Sequence, residues 1–117
     1  MIEELRRGET VLVDLNPAGG AEKRKIRPCL IIQNDVGNKF SPLTIIAVIT
    51  SQKEIKKKFP TDVWIGKGEG GLEHPSIIQC DQIRTIDKRR IIKKIGAVDV
   101  SIMKEVDGAL RISVDLL

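Results

Sequence analysis

Leu43-Thr44-Ile45-Ile46-Ala47-Val48-Ile49-Thr50 is a near-continuous apolar run, bounded by Ser41-Pro42 on one side and by the charged stretch Ser51 to Phe59 on the other. It is too short for a typical helix and rich in β-branched residues, so it reads as a strand buried on both faces. Working outward, the other segments are shorter runs of the same kind: Thr10–Leu15, Cys29–Gln33 opened by Arg27-Pro28, Thr61–Ile65, Ser76–Cys80, Gln82–Ile86 and Ile91–Ile95. Pro28 is acceptable because it stands at a strand start. Asn16-Pro17-Ala18-Gly19-Gly20 breaks the first strand, Asn34 to Pro42 reads as a turn-rich connection, and Gly66 to Pro75 holds four of the ten glycines and must be irregular. Lys88-Arg89-Arg90 suits a short turn of helix on a solvated face.

One helix is predicted, from Asp99 to about Leu116. Asp99 is a good N-cap residue. Ile102, Met103, Val106, Leu110 and Val114 recur at three- and four-residue steps and form one apolar face, with Gly108 on the other side. Short strands followed by one amphipathic helix predict a mostly β, α+β fold. The expected architecture is a small, strongly bent antiparallel sheet or partly open barrel with a helix packed against it.

The chain has 117 residues, which fits one domain over 1–117 with one core. The apolar content is Ile, Val and Leu, with two Phe, one Trp and no Tyr, so the core is aliphatic. The formal net charge of +4 is compatible with an acidic partner such as nucleic acid. No apolar run nears the roughly 20 residues that span a bilayer, and Met1 to Glu9 is charged, so a cytosolic, membrane-free protein is expected. Cys29 and Cys80 sit inside apolar runs and read as reduced, buried thiols; a disulfide between two core strands is the alternative. One His and two Cys supply a zinc site poorly, and no metal or cofactor is expected. A Cys–His nucleophile involving His74 is disfavoured, because His74 precedes Pro75 in a loop and both thiols look buried.

Two loops hold the candidate chemistry. In Glu22-Lys23-Arg24-Lys25-Ile26-Arg27, four cations and one carboxylate fall within six residues. A solvated hairpin tip would look the same, but so would a clamp for phosphates. Arg27 stands apart because Pro28 restricts its backbone to the extended region, at the rigid base of the loop. The second loop, Thr50-Ser51-Gln52, places three hydrogen-bonding side chains at the end of a buried strand. A guanidinium fork matches phosphate oxygens with two parallel hydrogen bonds, and a Thr hydroxyl can donate to the same oxygens. That pair suits metal-free cleavage of RNA by its own ribose 2′-OH. The base is the weak link: Arg stays protonated, Thr does not ionise usefully, and Glu22 is the one carboxylate near Arg27 in sequence, a candidate base or positioning group.

These residues also carry a family likeness. Arg7-Gly8-Glu9, Val13-Asp14-Leu15-Asn16-Pro17, Arg27-Pro28, Ile32-Gln33-Asn34-Asp35, Ser41-Pro42, Ile49-Thr50-Ser51, Gln82-Ile83-Arg84-Thr85-Ile86-Asp87 and Lys93-Lys94-Ile95-Gly96, in this order, make the chain resemble the PemK/MazF toxins of bacterial toxin–antitoxin modules over nearly its whole length. The resemblance implies an SH3-like small β-barrel (PemK/CcdB-like) with a C-terminal helix, acting as a homodimer. It implies a ribosome-independent, sequence-specific endoribonuclease that cuts single-stranded messenger RNA to 2′,3′-cyclic phosphate and 5′-OH ends. It further implies inhibition by a cognate antitoxin, and DNA binding in company with that antitoxin. The family's catalytic Arg and Thr fall on Arg27 and Thr50. Lys23, Arg24, Lys25, Ser51, Gln52, Phe59 and Asp81 are the expected RNA contacts. The chain departs from the pattern at Val11, where Tyr is common, at Asp81, where Glu is common, and in a 51–59 loop one residue longer.

Other residues take readings from this frame. Phe59 beside three lysines is either a base-stacking platform or a cap on the core. Trp64 reads as core, and Arg84 as an ion-pair partner of Asp81 or Asp87. Two rival functions remain: a same-fold toxin that poisons a protein such as gyrase, and a non-catalytic RNA-binding module. The first would not need Arg27 and Thr50 at strand ends, and the second would carry more exposed aromatics.

Overall fold

The computed structural model describes residues 4–16 and 25–117. Its elements run β1 (Glu9–Asp14), β2 (Ile26–Ile31), α1 (Asp35–Phe40), β3 (Leu43–Ser51), β4 (Asp62–Ile65), β5 (Ser76–Asp87), β6 (Ile91–Ala97) and α2 (Val100–Ser113). Short 3-10 turns lie at Glu69–Gly71 and Lys88–Arg90. The six strands form one antiparallel sheet in the order β4-β5-β3-β2-β1-β6.

β3 is central and buried on both faces, as its apolar run predicts. Ala47 and Ile49 join Leu30, Val63, Ile78 and Cys80 in a core closed by Ile102, Val106 and Ala109 of α2. Ile46 points the other way, into a second cluster with Leu5, Val11, Val13, Cys29, Ile31, Ile86 and Ile91. The single core expected from the length is corrected to two, and two cores on one 117-residue chain require a strongly bent sheet, because a flat one would leave one face wet.

The expected SH3-like barrel is corrected in one respect: the strand ladder does not close. β4 and β6 are edges, with no pairing between them among the described residues. The turn at Glu69–Gly71 lies against β6 instead. A Cβ added at Gly71 would come 2.6 Å from the Ile95 carbonyl oxygen, and one at Gly96 would come 2.8 Å from the Gly70 carbonyl oxygen. Thr10 Oγ1 donates to the Gly70 carbonyl at 2.5 Å. Close backbone approach through glycine thus covers the β6 edge where a sixth strand pairing would close the sheet.

Three boundaries differ from the sequence reading. Asn34 to Pro42 contains α1, capped by Asn34, whose side chain accepts from the Gly37 N–H, and anchored by buried Asn38. β2 begins at Ile26, so Arg27 lies inside a strand and not at the base of a loop. α2 ends at Ser113; Ala109 is buried on its inner face, while Val114 is exposed. Asp99 caps α2 by accepting from the Ile102 N–H, which holds its carboxyl below the usual Asp range. The Lys88-Arg89-Arg90 face is less solvated than expected. Lys88 Nζ donates to the Asn38 carbonyl, Arg90 donates to the carbonyls of Asp14 and Asn16, and Arg89 pairs with Asp87. No helix among the described residues is long and apolar enough to cross a membrane.

Candidate active site

β2 and β3 pair antiparallel with Cys29 opposite Val48, and extending that register by two residues sets Arg27 opposite Thr50. Side chains two apart share a face, so both point to the side of the sheet that carries Cys29 and Ile46. The β2–β3 ladder is made by Cys29, Leu30 and Ile31 and begins one residue past Pro28, which has no N–H to donate. Arg27 and Thr50 therefore sit where the two strands part, held by strand backbone yet free to meet a ligand.

Arg27 Nη1 donates to Thr50 Oγ1 at 3.4 Å. Thr50 Oγ1 in turn donates to Glu54 Oε2 at 2.8 Å, and Arg27 Nη1 lies 3.9 Å from the same carboxylate oxygen. Thr50 is buried, while the Arg27 side chain is 45% and the Glu54 side chain 61% exposed. The charged ends thus face solvent above a fixed hydroxyl. Arg27 and Thr50 open onto a cleft of about 230 Å³ that Pro28, Ser51, Glu73 and His74 also line, and Glu54 is held beside it through Thr50.

The turn that delivers Glu54 is braced. The Glu54 N–H donates to the Ser51 carbonyl, and the Gln52 N–H to the Pro75 carbonyl. Gln52 Nε2 donates to the carbonyls of Ile65 and Ser76. The amide expected to read RNA is thus occupied in tying β3, β4 and β5 together beside the site.

Of the other expected site residues, Ser51 lines the cleft. Lys25 is exposed, with its N–H on Asn16 Oδ1. Glu22, Lys23 and Arg24 lie outside the described residues. Asp81 is exposed and does not line the cleft. Phe59 is exposed beneath Lys57 Nζ and lines a different groove, beside Glu105, Gly108 and Ile112 of α2. Arg84 makes no ion pair among the described residues; Asp87 is taken by Arg89. Cys29 and Cys80 are free and buried, and burial pushes each thiol up to about 12, so neither is a nucleophile at neutral pH.

Two groups escaped the sequence reading. Glu54 stands four residues past Thr50 in a lysine-rich loop, where nothing in its residue type marks it. His74, disfavoured in sequence as half of a Cys–His nucleophile, lines the same cleft as Arg27 and Thr50. The one available signal was its position two residues before β5, the strand that pairs with the end of β3. Among the described residues no three His, Cys, Asp or Glu side chains are grouped to hold a metal ion.

Comparison with known proteins agrees with this fold. The family described as PemK-like, MazF-like toxin of type II toxin-antitoxin system matches residues 6–114. Endoribonuclease EndoA of Bacillus subtilis (strain 168) is 47% identical over 113 residues, which cover 97% of each chain. Among solved structures, an endoribonuclease in complex with its cognate antitoxin from Mycobacterial species superposes with a TM-score of 0.78 at 23% identity, over 97% of both chains. MazE-MazF (Form-II) from Deinococcus radiodurans gives a TM-score of 0.77 at 22% identity, again over 97% of both chains. With a family match over residues 6–114 and a relative 47% identical along almost its whole length, the chain belongs to the PemK-like, MazF-like toxins of type II toxin–antitoxin systems.

Proposed function

We propose that this chain is an endoribonuclease toxin that cuts single-stranded RNA at specific sequences, without the ribosome and without a metal ion, through attack of the ribose 2′-OH on the adjacent phosphate. The observation that carries the reading is the Arg27 Nη1–Thr50 Oγ1 contact of 3.4 Å at the open end of two paired strands. A fixed cation and a fixed hydroxyl at one point can hold the two non-bridging oxygens of a phosphodiester, where charge accumulates as the phosphorus becomes pentacoordinate. The relative 47% identical to this chain is named an endoribonuclease, which supports the same activity here.

In this reading Arg27 and Thr50 are catalytic, and Ser51 and Lys25 contact the RNA backbone on either side. The products are a 2′,3′-cyclic phosphate and a 5′-OH. The toxin works in the cytosol as a homodimer, and a cognate antitoxin silences it by covering the cleft. Incubating the purified protein with a long RNA in EDTA is expected to give discrete fragments that end in cyclic phosphate. Arg27→Ala and Thr50→Ala are each expected to slow cleavage by about 100-fold or more. Loss of the fragments in EDTA, or undiminished cleavage by Arg27→Ala, would overturn the reading.

A further inference from the structure

Transesterification moves two protons, and neither Arg27 nor Thr50 can move them at neutral pH. A guanidinium does not give up its proton there, and an aliphatic hydroxyl does not take one. Two groups at or beside the cleft can. Glu54 already shares an oxygen with both members of the pair, at 2.8 Å from Thr50 Oγ1 and 3.9 Å from Arg27 Nη1. His74 lines the same cleft from the segment before β5. We infer that Glu54 is the general base and His74 the general acid of the cleavage step, an assignment that rests on the Arg27–Thr50 reading above.

The placement favours these roles. The turn that delivers Glu54 is braced through Ser51, Gln52 and Pro75, which keeps its carboxylate beside Thr50. The charged groups around the pair are Arg27 from β2, Glu73 beside His74, and Lys53 and Lys56 on the loop of Glu54 itself.

The proton account closes. Glu54 takes the proton of the 2′-OH as the O2′–P bond forms. The P–O5′ bond breaks with its electron pair on O5′, and the imidazolium of His74 donates a proton to that oxygen. Exchange of both groups with water restores them. The products are the cyclic phosphate and the 5′-OH end.

The test uses a short RNA substrate and the full chain. Glu54→Gln and His74→Gln keep size and hydrogen bonding, and each is expected to lower kcat by about 100-fold or more with little rise in KM. The wild-type pH–rate profile should be a bell, whose acid limb disappears in Glu54→Gln and whose alkaline limb disappears in His74→Gln. A substrate with a 5′-bridging sulfur needs no proton on its leaving group. It should restore His74→Gln to near the wild-type rate and leave Glu54→Gln slow. Wild-type kcat in either variant, a bell that survives both substitutions, or sulfur rescue of Glu54→Gln would overturn the assignment. If Arg27→Ala and Thr50→Ala are inactive while both glutamine variants keep full rate and profile, this pair is wrong and the Arg27–Thr50 reading stands. If Arg27→Ala cleaves normally, the underlying reading falls first.

Discussion

Trp64 buries an indole N–H that meets no acceptor among the described residues. Leaving a buried donor unmade costs about 1–3 kcal/mol relative to a partnered one. Trp64→Phe removes the donor and keeps most of the ring, so chemical denaturation is expected to show stability unchanged or raised by up to about 1 kcal/mol. A loss above that would mean the indole makes a bond through water or through a segment outside the described residues. The sequence reads Trp64 as core, whereas the residue is half-buried and joins neither core cluster; nor could the sequence reveal the orphaned nitrogen, because that depends on what the neighbouring strand presents. Arg27 and Thr50 were legible for a better reason. A Pro after the Arg and a polar break after an apolar strand are local signals, and strand pairing then carries them to one place. Glu54 and His74 carried no such signal, since a turn and a returning segment set their positions.

Among the elements, the junction of the Glu69–Gly71 turn with β6 is the most exacting. Gly71 has a φ of 73°, a conformation that disfavours any side chain, and its missing Cβ makes room for the Ile95 carbonyl at 2.6 Å. Gly71→Ala is expected to destabilise the fold by about 2–4 kcal/mol, read as a lower denaturant midpoint with an unchanged slope. Gly66→Ala, where a Cβ meets nothing within 4 Å, should cost far less and serves as the control. Equal effects from the two would show that the turn is not pinned to β6. The glycine-rich stretch announced itself as irregular, yet composition does not say which glycine touches which strand. α1 was hidden for a related reason. Its Gly37 and flanking Pro42 read as turn punctuation, whereas the fold stabilises one and a half turns through the Asn34 cap and buried Asn38.

On the scale of the whole molecule, 20 basic against 16 acidic residues leave a net charge of only +4, too weak a field to hold RNA by itself. Much of the basic surface is also engaged elsewhere: Arg7 with Asp107, Lys94 with Glu9, Arg89 with Asp87, and Lys88 and Arg90 with backbone carbonyls. Affinity should therefore come from a few cations around the cleft. For single strands the logarithm of the binding constant falls with the logarithm of salt by about 0.7 per phosphate contact, so three to five contacts predict a slope of about −2 to −3.5. Filter binding of an RNA with a 2′-deoxy group at the cut site, across a salt series, measures this without cleavage. Arg27→Ala should make the slope shallower by about 0.7. Lys39→Ala should leave it unchanged, because Lys39 lies over Phe40 on α1 and lines a cleft that shares no residue with the Arg27 site. A slope that responds equally to both substitutions would mean that RNA tracks the whole basic surface. Arg27 would then be one phosphate contact among many, and its pairing with Thr50 would no longer mark where the backbone is cut.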